Sequence, residues 1–294
     1  MLDTTNRMVS RAKREAIARV PPIRTMVERR HQRRVQDYAA SLPTLPDARR
    51  ELMADVRRDG IRLATLDELG LPGSDRLWTG LAALKEKLAA RPDTGHDTAL
   101  LSLDEVLAEP GVWQWGLSEE LLDMVEVHLG LPARYYGADL RLERATARAV
   151  GVRQWHRDLE DHRMFKILIW LNDVGPDGGP FEYVDRAHTD RLTRSLGYVS
   201  GFVSDEDMER QVPRSQWRQA TGPTGTCLLT DTRSLFHRAM PPRREDRYSV
   251  TFTFTSRRPV TTLPKQPATA RQRELALAGL NARQRACLTR AFTD

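Results

Sequence analysis

The feature that most constrains this sequence is a change of hydrophobic period near residue 138. Before it, apolar residues recur at helical spacing, as in Leu77, Leu81, Leu84 and Leu88. After it come short segments bounded by Gly and Pro: Gly175-Pro176, Gly178-Gly179-Pro180, Gly222-Pro223 and Pro241-Pro242. The run VTFTFTS (250–256) alternates apolar and hydroxyl side chains, which fits a strand with one face buried. Helices followed by many short strands predict a mainly β core with flanking helices.

The pattern predicts helix over 1–40 with a break at Pro21-Pro22, and helices over 47–58, 75–91 and 117–129. Ser118 is the expected cap of the last of these. Strands are expected at 140–150, 163–172, 180–184, 225–231, 233–238 and 247–256, with a helical insertion at 189–198. Residues 259–268 read as a linker, and short helices are expected at about 269–279 and 282–292. This gives three regions: a helical region (1–134) packing on the core, the core itself (135–258), and a linker with C-terminal helices (259–294).

Composition excludes several classes. No apolar stretch approaches the roughly twenty residues of a membrane span, and the first thirty residues carry arginines rather than an apolar signal segment. Cys227 and Cys287 lack metal-binding spacing and read as free thiols of a reducing, cytoplasmic compartment. The net charge of +6 is concentrated near the N-terminus. No aromatic residues interleave that basic run, so it reads as a solvated helix face rather than a nucleic-acid surface. The tail LNARQRACLTRAF (280–292) resembles the start of a helix-turn-helix but leaves no room for a recognition helix. Motifs of nucleophilic hydrolases, P-loop enzymes and zinc proteases are missing from the sequence.

The chemistry-bearing motif is Trp155-His156-Arg157-Asp158. In an extended segment, residues i and i+2 point the same way, so His156 and Asp158 can present an imidazole nitrogen and a carboxylate to one ion. His237 is the expected third ligand. Two imidazoles and one carboxylate leave three positions open, the arrangement of non-haem iron(II) oxygenases, where 2-oxoglutarate takes two positions and dioxygen the third. A second such pair, His188-Thr189-Asp190, precedes a helical stretch. Asp190 is expected in its first turn, with His188 in a capping or packing role or lining the site.

Ten residues beyond His237, Arg247 opens the alternating strand, and Ser249 shares its face. A guanidinium fork and a hydroxyl suit the far carboxylate of 2-oxoglutarate. Arg243 and Arg244 are rivals, but Pro241-Pro242 places them in a turn. Gln154 can share the face of His156 and touch the metal's surroundings or 2-oxoglutarate. Arg144, Thr146 and Arg148 read as an outward-facing polar row, while Lys166 and Trp170 flank an apolar strand that can line the pocket.

Two segments, WHRDLEDHRMFKILIWLNDVGPDGGPFEYV and FHRAMPPRREDRYSVTFTF, resemble the phytanoyl-CoA dioxygenase family over roughly residues 135–257. The resemblance implies a double-stranded β-helix (jelly roll, cupin-like) core. It also implies an iron(II) held by His156, Asp158 and His237, and 2-oxoglutarate held by Arg247, with O2 as oxidant. The turn after FEYV departs from the family's usual Pro-Gly-Ser-His, reading Asp185-Arg186-Ala187-His188. Halogenating relatives replace the carboxylate ligand by a small residue; here Asp158 is retained, which points to hydroxylation of a small-molecule substrate. The competing reading is a non-catalytic jelly-roll module that binds a ligand or polymer. The substrate, and whether the chain forms a homo-oligomer, are not written in these motifs.

Overall fold

A computed structural model of the chain describes residues 2–263 and 267–293. Helices α1 (Leu2–Arg19) and α2 (Pro21–Tyr38) lead the chain. They meet at Val20, with the prolines at the first two positions of α2, where a missing N–H costs nothing. Among the described residues nine strands follow, between further helices: β1 (Ile61–Ala64), β2 (Thr98–Leu100), β3 (Ala133–Glu143), β4 (Phe165–Trp170), β5 (Phe181–Tyr183), β6 (Arg218–Ala220), β7 (Cys227–Thr230), β8 (His237–Ala239) and β9 (Arg247–Ser256). Helices occupy more of the described chain than strands do, so "mainly β" describes the core and not the chain.

The strands form two antiparallel sheets. The larger has the order β1-β7-β4-β9-β3-β2 and the smaller β6-β5-β8. β1 and β2 come from the region expected to be helical; each is short, and a run of three or four residues carries too little period to be read. The alternation in β4 and β9 divides the large sheet's two faces. Phe165, Ile167 and Ile169 stand opposite Phe254, Phe252 and Val250, and all six are fully buried against the helical layer. Full burial of each such side chain contributes roughly 2 kcal/mol. The other face carries Lys166, Leu168 and Trp170 on β4 with Ser249, Thr251 and Thr253 opposite. Trp170 and Leu228 pack there with Phe181 and Ala220 of the small sheet. The molecule is therefore layered as helices, large sheet, small sheet, with polar side chains at the gap between the sheets.

Several boundaries move from their expected places. The strand expected over 140–150 runs instead from Ala133 to Glu143. Beyond it the chain turns, with Ala147 at φ 55° and Thr146 N–H bonded to Arg144 O, drawn by the polar cluster at Asp97. The inserted helix starts at Arg186, because the Asp185 side chain caps it by accepting from His188 N–H. Ser118 stands at the expected cap position, but its hydroxyl donates to Trp115 O and caps nothing. The last helix divides into Ala282–Cys287 and Arg290–Thr293, where Leu288 bridges to Tyr135 of β3. The expected linker at 259–268 includes residues 264–266, which lie outside the described residues. No helix among the described residues is long and apolar enough to cross a membrane.

Candidate metal centre

Trp155 and His156 are in extended backbone and pair outward in opposite directions. Trp155 bridges antiparallel to Val203, and His156 to His237. The second bridge exchanges both N–H···O bonds, each at 2.9 Å, so the two histidines are a hydrogen-bonded cross-strand pair. Their rings lie 4.5 Å apart between centroids at 50°. Asp158 continues the extended path with its N–H on Thr232 O. One imidazole nitrogen each from His156 and His237 and one carboxylate oxygen of Asp158 lie within 4.8 Å of one another. Among the described residues no other group of three such side chains comes together.

The hydrogen bonds of the two rings follow one rule. His156 Nδ1 lies 2.8 Å from Gln154 O, and His237 Nδ1 lies 3.1 Å from Leu235 O. A carbonyl can only accept, so Nδ1 is the protonated nitrogen in both, and Nε2 keeps its lone pair. His156 Nε2 is 3.9 Å from Asp158 Oδ1. Burial pushes His237 down to about 3, helped by the neighbouring His156, and burial also lowers His156. Both rings are neutral near pH 7, the form that ligates a metal.

Asp158 is held well below the usual carboxylate range. Burial works to raise it, but Lys166, His237 and His156 outweigh burial. Lys166 Nζ lies 2.6 Å from Asp158 Oδ2, a close ion pair at the carboxylate. Phe181 stacks on His237 at 5.1 Å and 17°, while Phe202 meets His156 edge-on at 5.5 Å. Neither phenylalanine was identifiable from spacing. Lys166 was, through its alternation with Trp170, although its contact with Asp158 was not.

Arg247 is buried at the start of β9. Its Nη1 donates to Gly179 O, two residues before the Phe181 that stacks on His237, and its guanidinium carbon lies 5.4 Å over Trp170. Its Nε is buried without a hydrogen-bond partner. Burial lowers its pKa to about 10, against the pull of Glu143. A buried guanidinium with an unused donor is costly unless an acceptor arrives. Ser249 is buried on the same face of β9, opposite Trp170. Arg243 and Arg244 instead stand in solvent beside Asp177, at 3.8 and 3.5 Å.

The remaining candidates lie elsewhere. Gln154 supplies its main-chain carbonyl to His156. His188 Nδ1 bonds Asp185 Oδ1 at 2.7 Å, so it serves the cap rather than the centre, and Asp190 falls just beyond the first turn because the helix begins earlier than expected. Arg148 and Thr146 both bond Asp97. The unforeseen hub is Arg153. It is fully buried and donates to Glu143 at 2.7 Å, to Thr146 Oγ1, and to the carbonyls of Asp97, Arg144 and Arg148. Arg238 likewise pairs with Glu182 at 2.6 Å and with Asp205, whose other contact is the Trp155 indole N–H. These networks hold the residues just before His156, through Arg153 and Trp155, and the residue after His237, through Arg238. A buried arginine leaves no periodic trace in a sequence this rich in arginine.

No family model matches the sequence, and no curated protein matches it. The fold is similar to that of solved structures. EctD from S. alaskensis in its apoform superposes with a TM-score of 0.52 at 17% identity, over 73% of this chain and 80% of that one. EctD with 2-oxoglutarate and 5-hydroxyectoine gives a TM-score of 0.50 at 17% identity, over 73% and 79%. HygX from Streptomyces hygroscopicus with nickel and 2-oxoglutarate bound gives 0.51 at 17% identity, over 73% and 88%. At such identities the likeness shows a common fold.

Proposed function

We propose that the chain is an Fe(II)/2-oxoglutarate-dependent oxygenase of the phytanoyl-CoA dioxygenase type, built on a double-stranded β-helix core, which hydroxylates a C–H bond of a small-molecule substrate and releases succinate and carbon dioxide. The observation that carries this reading is the convergence of two neutral imidazole Nε2 atoms and one carboxylate oxygen, both rings locked by carbonyls behind them. The 2-oxoglutarate bound in the similarly folded EctD, and the nickel and 2-oxoglutarate bound in HygX, support it.

The residues present fit the group. His156, Asp158 and His237 would hold the iron, and their protonation states need no change to do so. The iron with 2-oxoglutarate and O2 supplies the oxidising power that no side chain has. Arg247 would pair with the far carboxylate, giving its unused Nε–H an acceptor, with Ser249 beside it on the strand and Gln154 holding His156. Lys166 keeps Asp158 ionised and leaves Oδ1 turned toward His156 Nε2. Phe181 covers one face of the His237 ring and keeps water from it, while the half-exposed Phe202 meets the His156 ring edge-on. Retention of Asp158 supports hydroxylation.

Anaerobic addition of Fe(II) and 2-oxoglutarate to metal-free protein tests the reading. A weak visible charge-transfer band at one iron per chain is expected. Folded protein that retains neither iron nor 2-oxoglutarate overturns it.

A further inference from the structure

Residues 157, 159 and 161 point away from His156 and Asp158, and they line a cleft of about 770 Å³ between the core and the α1–α2 pair. That volume is in the range of small-molecule sites. Six arginines line the cleft against two carboxylates, Glu28 and Asp161. Arg157 and Arg233 form one wall, Arg194 stands on the inserted helix, and Arg14, Arg19 and Arg24 come from α1 and α2. Arg14 and Arg19 have carboxylate partners in Glu160 and Glu15. Among the described residues the other four arginines have no carboxylate within ion-pair distance.

Arg157 and Arg233 are the telling pair. Arg157 donates through Nε and Nη2 to the Arg233 carbonyl, at 3.0 and 2.6 Å, and through Nη1 to Thr193 Oγ1 at 2.8 Å. All its acceptors are neutral. Among the described residues the Arg233 guanidinium has no hydrogen-bond partner; Asp231, Glu160 and Asp161 act on it only at longer range. Two guanidiniums side by side in a partly desolvated wall, facing a cavity, are equipped for an anion with several acceptor oxygens. A second, strongly polar depression of about 620 Å³ shares Arg157 and Arg233 and adds Arg163 and Arg186, with Glu28, Asp190 and Asp231 also in its lining. Arg163 and Arg186 also donate only to main-chain carbonyls, those of His128, Arg57 and Arg58.

We propose that this cleft is a second binding site, separate from the metal centre, for a phosphate-class dianion held between Arg157 and Arg233, either free or as the ester group of a small molecule. The bound anion joins the α1–α2 pair to the back of the segment whose front carries His156 and Asp158. The site is independent of the oxygenase reading, because its residues and its test involve no iron.

The test is thermal unfolding and calorimetric titration of the full metal-free chain with inorganic phosphate and with phenyl phosphate, against sodium chloride at equal ionic strength. Saturable binding with a rise in Tm is expected from phosphate but not from chloride. Tighter binding of phenyl phosphate identifies an ester ligand, and equal binding identifies the free anion. Arg233→Gln weakens binding at least tenfold, while Arg244→Gln, a solvent arginine, leaves it unchanged. In the unaltered protein, phosphate should also protect Arg233, but not Arg243 or Arg244, from phenylglyoxal. This measurement stands even if the Arg233 variant does not fold. An equal response to chloride, or undiminished labelling of Arg233 in phosphate, overturns the proposal. If phosphate binds but iron and 2-oxoglutarate do not, the anion site stands and the oxygenase reading falls; the reverse result separates them the other way.

Discussion

Three glycines in the loop before β5 should respond in a graded order when each is replaced by alanine. Gly179 has φ +73°, and a Cβ there would lie 2.6 Å from Met240 O and 2.6 Å from the Pro242 ring. The left-handed backbone alone costs an L-residue about 1–2 kcal/mol. The clash is with main chain and a rigid ring, so it is relieved only by moving the loop, and the total should reach roughly 2–4 kcal/mol. Moving this loop also moves Gly179 O, the acceptor for Arg247 Nη1. Gly178 has ordinary φ, and its Cβ would sit 3.1 Å from Gly175 N, a tight contact worth about 1 kcal/mol or less. Gly175 has ordinary φ and open space at its Cβ, so alanine there should be neutral or stabilise by up to about 0.5 kcal/mol through the unfolded chain. Urea denaturation of the three variants measures the order. Titration with 2-oxoglutarate should show a loss for Gly179→Ala alone, with metal content unchanged. If Gly179→Ala is as stable as Gly175→Ala, or binds 2-oxoglutarate as the unaltered chain does, the coupling between this loop and Arg247 is refuted.

Arg247→Ala should raise the 2-oxoglutarate requirement at least tenfold while metal content stays near normal; unchanged affinity would remove Arg247 from the site. Arg153→Met strands Glu143, whose ionised form is favoured against burial by Arg247, Arg141 and Arg153. A stability loss of about 3–5 kcal/mol in denaturant is expected, and a loss below about 1 would show that the buried network is dispensable. His162 is stacked on His31 with centroids 3.8 Å apart, and burial, then His31, pushes its pKa to about 4. Between pH 6.5 and 4 the unfolded chain therefore binds the extra proton, so stability falls as pH drops through that window, by roughly 2 kcal/mol after solvent screening. His162→Gln should flatten this decline between pH 6.5 and 4, and an unaltered decline would assign it to other groups.

How much could be read in advance followed from how local each signal is. The alternation of β9 put Arg247 and Ser249 on one face, because a two-residue period is a property of the strand itself, but it did not foretell that the hydroxyl face is largely buried too, beneath the small sheet. The i, i+2 spacing likewise placed His156 and Asp158 together. The pairing of His156 with His237 is non-local, and the chemistry of a three-ligand site and the family resemblance suggested it, not any local period. Asp185 as a cap was missed because the helix was started three residues late. β1 and β2 are too short to show a period, and they become strands only because β7 and β3 offer them partners. The hub at Arg153 and the Arg157–Arg233 wall depend on which arginines are buried, and composition cannot tell a buried arginine from a solvated one.

The exchanged hydrogen bonds between residues 156 and 237 carry a kinetic consequence. The two imidazoles belong to segments far apart in the chain, so neither alone can grip an ion before the intervening loop has closed. Ion capture is then a reporter of the final long-range step of folding. During refolding, protection of the amides of His156 and His237 should appear together, and no later than tight retention of the ion.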